Sequence, residues 1–384
     1  MAAFIIALGF GLVSPIIPQF AQSFDVPVWA ASVVVSVFAA TRLLFAPASG
    51  RLVDRLGSRR VYLTGLLLVA IGTGVIAFAQ EYWHIIALRA ASGIGSTMFT
   101  VSAMSLIVRI APPSIRGRAS SIYGTAFLIG SVLGPVIGAI LSSLGMRIPF
   151  IIYAIMLLLA AAVVAVKLTP DCLRHVETTS DIPPMQRSEA LKNPTFIAAL
   201  CSGFAFGWSN FGVRIAVLPL FAASIFHWGG AVAGIALAIY ALGNAITLQF
   251  SGTLADSIGR RPLILWGLAI NTVFTACTGL SEQAWVLLTV SCIAGIGAGL
   301  VNPAQQAALA DIVGNKRSGG NALSTYQMAQ DFGAILGPIV VGLLVDVSGY
   351  RLGFLSCGLV GLLALLAWLL FGKETLQSAS DQSD

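Results

Sequence analysis

Charge is scarce in this chain. Of its 384 residues, 9% are Asp, Glu, Lys or Arg and 57% are hydrophobic. A soluble domain carries about 25% charged residues, so these few charges cannot coat a water-facing surface, and lipid must cover much of the protein. Histidine is almost missing: His84, His175 and His227 are scattered near predicted loops and make no metal cluster. The five cysteines, Cys172, Cys201, Cys277, Cys292 and Cys357, include no CxxC pair. Four fall in apolar runs and one in a central linker, which reads as small packing residues rather than a disulfide or metal site. No Walker signature occurs, which argues against an ATP-driven pump. Clustered His, carboxylate or Ser chemistry near one interface is also lacking, so neither an enzyme nor a bound cofactor is expected.

What the chain has in quantity is long apolar runs. A membrane-spanning helix needs about 20 apolar residues. Runs of that kind fall at roughly 2–22, 28–49, 61–80, 83–109, 117–144, 148–168, 194–226, 229–251, 262–281, 284–312, 319–346 and 351–371, which predicts twelve spans. The first run lacks the basic flank and small-residue cleavage site of a signal peptide, and it has a copy later in the chain, so it is expected to be a retained span. It begins almost at Met1, which leaves an earlier native start open.

The formal charge is +6, with 21 Lys and Arg, but the bases lie in short loops rather than on one face or tail, so topology and not nucleic acid explains them. Arg51, Arg55, Arg59 and Arg60 follow span 2, Arg109, Arg116 and Arg118 follow span 4, and further bases follow spans 6, 8, 10 and 12. The opposite loops hold Arg147 and Arg351 beside Asp25, Glu81 and Glu282. By the positive-inside rule both termini are expected in the cytoplasm, for a multi-pass protein of the plasma (inner) membrane. The expected organisation is a six-helix bundle over 1–168, a cytoplasmic linker over 169–193, a second bundle over 194–372 and a tail over 373–384.

The two bundles repeat one another. Phe10-Gly11 and Pro18 answer to Phe211-Gly212 and Pro219; Gly50, Asp54 and Gly57 to Gly252, Asp256 and Gly259; Gly93 and Gly95 to Gly295 and Gly297. Tyr123 and Gly134-Pro135 answer to Tyr326 and Gly337-Pro338, and Arg147 to Arg351. Chance likeness of apolar helices would not hold one register over six spans. Parallel halves of this kind belong to transporters.

After span 2 comes Gly50-Arg51-Leu52-Val53-Asp54-Arg55-Leu56-Gly57-Ser58-Arg59-Arg60, and the second half carries a degenerate copy at 252–261. This resembles the cytoplasmic loop signature of the major facilitator superfamily. In span 5, Gly130-Ser131-Val132-Leu133-Gly134-Pro135-Val136-Ile137-Gly138 is similar to the glycine-proline motif of that superfamily's twelve-span drug:proton antiporters. In span 4, Leu88-Arg89-Ala90-Ala91-Ser92-Gly93-Ile94-Gly95 is similar to its arginine-glycine motif, with Ser92 where a glutamine is common. Pro15 and Pro18 match the proline pair of span 1, but the membrane-embedded acid that many drug antiporters place there is missing. The resemblance covers nearly the whole chain. It implies an all-α membrane protein of twelve helices in two pseudo-symmetric bundles, carrying a small molecule in exchange for protons by alternating access. It also implies gating by Gly50, Asp54, Arg55, Gly57, Arg116, Arg118, Asp256 and Gly259, with Gly130, Gly134 and Pro135 shaping span 5. The glycines are expected to permit the tight turn, Asp54 to face the positive end of span 11, and Asp256 the start of span 5 near Arg116 and Arg118.

Ionisable residues within a span cost about 2.5–3.5 kcal/mol on insertion scales, so each is a functional candidate. Arg42, Arg89, Arg214 and Asp331 qualify. Asp331 is the candidate proton site, with Arg89 a candidate in the same relay; a structural ion pair is the competing reading for Asp331. Arg214 stands where the first half has Val13, and Arg42 where the second has Asn244. Broken symmetry at matched positions suggests substrate contacts. The remaining substrate candidates are Tyr123, Asn210, Tyr240, Asn244, Gln305, Tyr326 and Gln327, with Asn302 and Gln306 nearby. A proton-coupled exporter of a small amphipathic or drug-like molecule is expected, working as a monomer in the lipid bilayer. A symporter or facilitator importing a small metabolite is the alternative, and a membrane receptor is the alternative of another class. Three arginines against one acid make the cavity basic. Matched cationic and anionic amphiphiles tested as transport inhibitors should therefore separate, the anion being the stronger; stronger inhibition by the cation would overturn the inference.

Overall fold

A computed structural model describes residues 2–110, 116–142, 144–167, 187–313 and 320–375. These residues are helical, joined by short turns, with no strand among them. Hydrocarbon offers no water to the backbone, so a spanning segment must satisfy its own N–H and C=O groups, as a helix does. The elements are α1 (Ala2–Val13), α2 (Ile16–Gln22), α3 (Val28–Leu56), α4 (Ser58–Ile76), α5 (Tyr82–Ile110), α6 (Arg116–Ser142), α7 (Ile148–Lys167), α8 (Arg187–Ala190), α9 (Pro194–Phe206), α10 (Arg214–Ile225), α11 (Gly229–Ile258), α12 (Arg260–Cys277), α13 (Ala284–Val313) and α14 (Gly320–Phe371).

Ten helical stretches among the described residues are long and apolar enough to cross a membrane. One of them, Ser324–Phe371, contains two spans, because Gly349 leaves the helical region at φ 81°. With α6, which is apolar over its described stretch Ile129–Ser142, the helices are consistent with the twelve spans expected. They gather into two compact units. The first comprises Met1–Thr179, Val213–Ala238 and Pro338–Asp346; the second comprises Ser180–Gly212, Ile239–Gly337 and Val347–Asp384.

The loop signature sits differently from its expected place. α3 runs on through Leu56 and α11 through Ile258, so Gly50 and Gly252 lie inside helices. A Cβ at either would meet nothing within 4 Å. The turn rests instead on Gly57, at φ 84°, and Gly259, at φ 106°, a region that L side chains rarely enter.

Span 1 is broken. The Ser14 N–H still bonds the Phe10 carbonyl at 2.9 Å, and α2 then starts after Pro15, which has no N–H to continue the ladder. Span 7 is interrupted in another way: Gly207–Val213 is π-helical, between α9 and α10.

Glycines bring helix backbones into contact. A Cβ at Gly130 would lie 2.6 Å from the Phe4 carbonyl oxygen and 2.7 Å from the Leu8 nitrogen, and one at Gly134 would lie 2.8 Å from Gly11 Cα. A Cβ at Gly138 would collide with the Leu12 carbonyl. α1 and α6 therefore touch main chain to main chain. The second unit repeats this: Gly333 abuts Phe204 and Trp208, and Gly337 lies 2.7 Å, on the same test, from the Trp208 carbonyl oxygen. Gly342, which by sequence closes the copied motif, faces Trp29 of α3 instead.

The other repeat glycines match as well. Gly93 abuts the Phe38 carbonyl and Gly295 the Tyr240 carbonyl; Gly95 abuts Gly65 and Gly297 abuts Gly267. The register shifts only once in span 7. Phe4 and Leu8 answer to Phe204 and Trp208, an offset of 200, whereas Phe10-Gly11 answers to Phe211-Gly212, an offset of 201. The π segment lies there and absorbs the extra residue.

Leucine at Gly134 would have to displace backbone rather than a flexible side chain. Overpacking of this kind costs about 1–3 kcal/mol or more. Gly134→Leu should lower the melting temperature of the detergent-purified protein clearly, and Gly252→Ala should leave it unchanged; an unchanged Gly134→Leu melt would rule out the contact.

Candidate functional site

In the first unit, two charged side chains meet one aromatic ring. Phe38 and Arg42 lie one turn apart on α3, and Arg89 projects from α5, which approaches α3 at Gly93. The Arg89 guanidinium sits 4.1 Å from the Phe38 ring centre and that of Arg42 sits 5.9 Å from it. Arg89 is buried (7% exposed), and the Nε atoms of both arginines are buried without a hydrogen-bond partner. Arg214 opens α10 and is 3% exposed. A narrow crevice lined by Phe10, Val13, Ser14, Arg89, Tyr153 and Ile215, among others, opens beside the break in span 1.

In the second unit, Asn210 lies within the π segment. Its amide is paired both ways with that of Asn271 on α12, at 3.3 and 3.4 Å, and Asn271 also donates to the Ala294 carbonyl at 2.9 Å. Sequence reasoning missed Asn271, which looks like an ordinary polar residue of span 9. Asn244, at the position matched to Arg42, has a buried Oδ1 with no partner. Tyr240 is buried against Phe206, Ala294 and Ala298. Gln327 donates to Asp331 Oδ1 at 3.1 Å, one turn away on α14.

Two expected ligand contacts lie deep in the interior. Gln305 is 1% exposed and donates to the Ala199 carbonyl at 2.9 Å and to Ser202 Oγ, which also accepts from Trp368 Nε1 at 2.9 Å. Tyr326 is 3% exposed, and its hydroxyl accepts from Gln330 at 2.9 Å. Tyr326 belongs to the core that holds Phe196, Leu263, Leu309 and Trp368, and Gln305 bonds to Ala199 of the same core. Gln330 and Ser202 carried no distinguishing signal in the sequence.

The helix ends show a repeated device. Glu374 accepts from the backbone N–H groups of Arg260 and Arg261, both at 3.0 Å, through its two oxygens. Asp346 does the same for Val28 and Trp29, at 3.0 and 2.9 Å. Each carboxylate caps a helix preceded by a residue that offers no capping oxygen, Gly259 before α12 and Pro27 before α3. A negative charge there also meets the positive end of the helix dipole. The first residues of the expected tail thus fold back onto the bundle, with Lys373 N–H bonded to Thr195 Oγ1 at 3.1 Å.

Beside the loop signatures, Arg59 donates to the Ala165 carbonyl at 2.7 Å, and Arg261, its repeat mate, donates to the Leu369 carbonyl at 3.0 Å. Asp256 is exposed and pairs with Arg260 at 3.5 Å, and Arg260 pairs more closely with Asp311 at 2.7 Å. Arg55 is exposed at the end of α3. The side chains of Asp54, Arg116, Arg118 and Tyr123 lie outside the described ones, as do residues 169–186 of the expected linker. Among the described residues no group of His, Cys, Asp and Glu could hold a metal ion.

Known proteins share this architecture. The chain is 27% identical over 374 residues to Multidrug resistance protein 1 of Bacillus subtilis (strain 168), covering 95% of this chain and 94% of that protein. It is 24% identical to the Quinolone resistance protein NorA of Staphylococcus aureus (strain MRSA252), over 90% of this chain and 88% of that one. The fold is similar, at a TM-score of 0.80 and 16% identity, to the crystal structure of a bacterial homolog of the human lysosomal transporter Spinster, covering 96% of this chain and 94% of that one. The profile of the Major Facilitator Superfamily matches residues 1–213 and again 200–384, so both halves of the repeat are accounted for. By that match the chain, a multi-pass membrane protein, belongs to the Major Facilitator Superfamily.

Proposed function

We propose that this protein exports a small amphipathic molecule across the plasma membrane in exchange for protons, by alternating access, with both termini in the cytoplasm. The observation that carries the reading is that polar atoms are held without partners inside the spans, among them Arg42 Nε, Arg89 Nε and Asn244 Oδ1. A protein that only had to pack would avoid them, because a buried polar group left unsatisfied costs about 1–3 kcal/mol. A passing ligand supplies what they lack. The relatives' names, multidrug resistance and quinolone resistance, favour export of drug-like compounds. One chain carries both six-helix halves, 1–168 and 194–372, so a monomer suffices.

Roles follow for particular residues. Arg42, Arg214, Asn210, Tyr240, Asn244 and Gln327 are proposed to face cargo at some point of the cycle, and Asp331 to carry the proton. Gly57 and Gly259 hold the turns at the cytoplasmic face, where Asp54 and Asp256 act as gate acids. On the opposite face, Asp346 ties the end of span 11 to the start of span 2, and releasing it is part of opening outward.

Two experiments test this. In proteoliposomes with an imposed pH gradient, neutral and anionic fluorescent amphiphiles should accumulate only with the protein present, and nigericin should abolish the accumulation. Asp331→Asn should retain downhill exchange and lose the response to the gradient; full gradient-driven transport by this variant would remove Asp331 from coupling. A helix cap is worth about 0.5–2 kcal/mol, or roughly 2- to 30-fold in an opening equilibrium. In a cysteine-free background carrying Ile17→Cys, Asp346→Ala should speed labelling by an impermeant maleimide from outside within that range. An unchanged labelling rate would refute the role assigned to Asp346.

A further inference from the structure

Arg89 carries a permanent charge, yet it lies 7% exposed inside a membrane span. Among the described residues it makes no ion pair. The Phe38 ring at 4.1 Å offers a cation–π contact. Such a contact is worth about 0.5–2 kcal/mol, below the roughly 2.5–3.5 kcal/mol of placing an arginine mid-span. Neutralisation is left incomplete.

The crevice beside it holds a second unsatisfied group. Ser14 is 8% exposed at the break in span 1, and its Oγ has no partner, like Arg89 Nε. Both line the same crevice, together with Phe10, Val13, Ile17 and Tyr153. The Tyr153 hydroxyl already donates to the Ile6 carbonyl at 3.4 Å. The crevice thus presents one positive charge, two free donors and an apolar wall. It is too narrow for a ring system, so only a headgroup enters. The matched position in the second half is Ser291, so the charge has no counterpart there. A scaffold role shared by both halves would not need it.

We infer that this crevice is a subsite for the carboxylate of an amphipathic organic acid, gripped by Arg89 and Ser14 while its apolar body stays at the mouth beside Phe10 and Ile215, the less buried of the apolar lining residues. A neutral amide would leave the charge uncompensated, and a cation would be repelled. The inference rests on the transport reading and narrows its cargo to acids and zwitterions.

Binding of 2-naphthoate, 2-naphthamide and chloride to the purified full-length chain tests it, read by calorimetry. The acid should bind at least roughly tenfold more tightly than the amide, as expected for a charge-assisted contact. Arg89→Gln should bring the acid down to the level of the amide and leave the amide unchanged, and Arg89→Lys should keep part of the preference. If Arg89→Gln does not fold, Ser14→Ala serves, with a loss of a few-fold for the acid alone. Equal binding of acid and amide, or an acid affinity indifferent to both variants, overturns the subsite. So does chloride binding that displaces 2-naphthoate and depends on Arg89 alone, which would mark an inorganic-anion site. Gradient-driven flux of a neutral amphiphile in the same preparation separates the two readings: flux without acid preference sinks the subsite only, and no flux with any compound sinks the transport reading.

Discussion

Helices in lipid gain nothing by hiding apolar surface from water, since the tails around them are as apolar as leucine. What holds them together is close packing, and here that packing is main chain on main chain. Gly130, Gly134 and Gly138 let α6 lie against the carbonyls of α1 from Phe4 to Leu12. Gly333 and Gly337 do the same for α14 against Phe204 and Trp208. The contact fixes both the separation and the register of the helices that border the crevice and the π segment. Without it, neither the break at Ser14-Pro15 nor the interruption at Gly207–Val213 would be held in a defined place.

That register explains the feature that most separates the two halves. One extra residue in span 7 could have slid the whole helix, rotating each side chain by about 100° at 3.6 residues per turn. The π segment confines the shift to seven residues, and the paired amides of Asn210 and Asn271 pin it to α12. Contacts on its α9 side keep the pattern of the first half, and Arg214 emerges at the position matched to Val13. A small insertion thus puts a charged residue where the first half has an apolar one, without disturbing the packing before it.

Much of this was legible in the sequence, because the properties concerned are local or repeated. Apolar length located the spans, and the duplicated glycines located the close contacts. The turn glycines Gly57 and Gly259 stood out, although the expectation wrongly gave Gly50 and Gly252 a share of the turn. Those two lie on open helix faces, and a glycine in a motif does not reveal whether it bends the chain or only lacks a side chain. The caps by Asp346 and Glu374 were invisible because the carboxylate is distant in sequence from the helix it serves. A signal did exist on the receiving side: α3 follows Pro27 and α12 follows Gly259, so neither has a side-chain oxygen at its own start. Gln305 and Tyr326 show what only the fold could add. Polar residues in spans look alike in sequence, and the fold places these two in the interior, Gln305 bonded to Ser202 with its Oε1 left over and Tyr326 bonded to Gln330.

The buried charges are spread unevenly over the two compact units. Arg42, Arg89 and Arg214 all belong to the first compact unit, and Asp331 belongs to the second. At the matched positions the partners are uncharged: Asn244, Ser291 and Val13. Glycine contacts, turns and the Arg59 and Arg261 bonds are duplicated in the two halves. An acid or zwitterion that compensated the basic unit would lower the cost of its buried charge only while bound. The protein would then be most strained when empty, and that strain favours loading over an idle passage of the unloaded carrier.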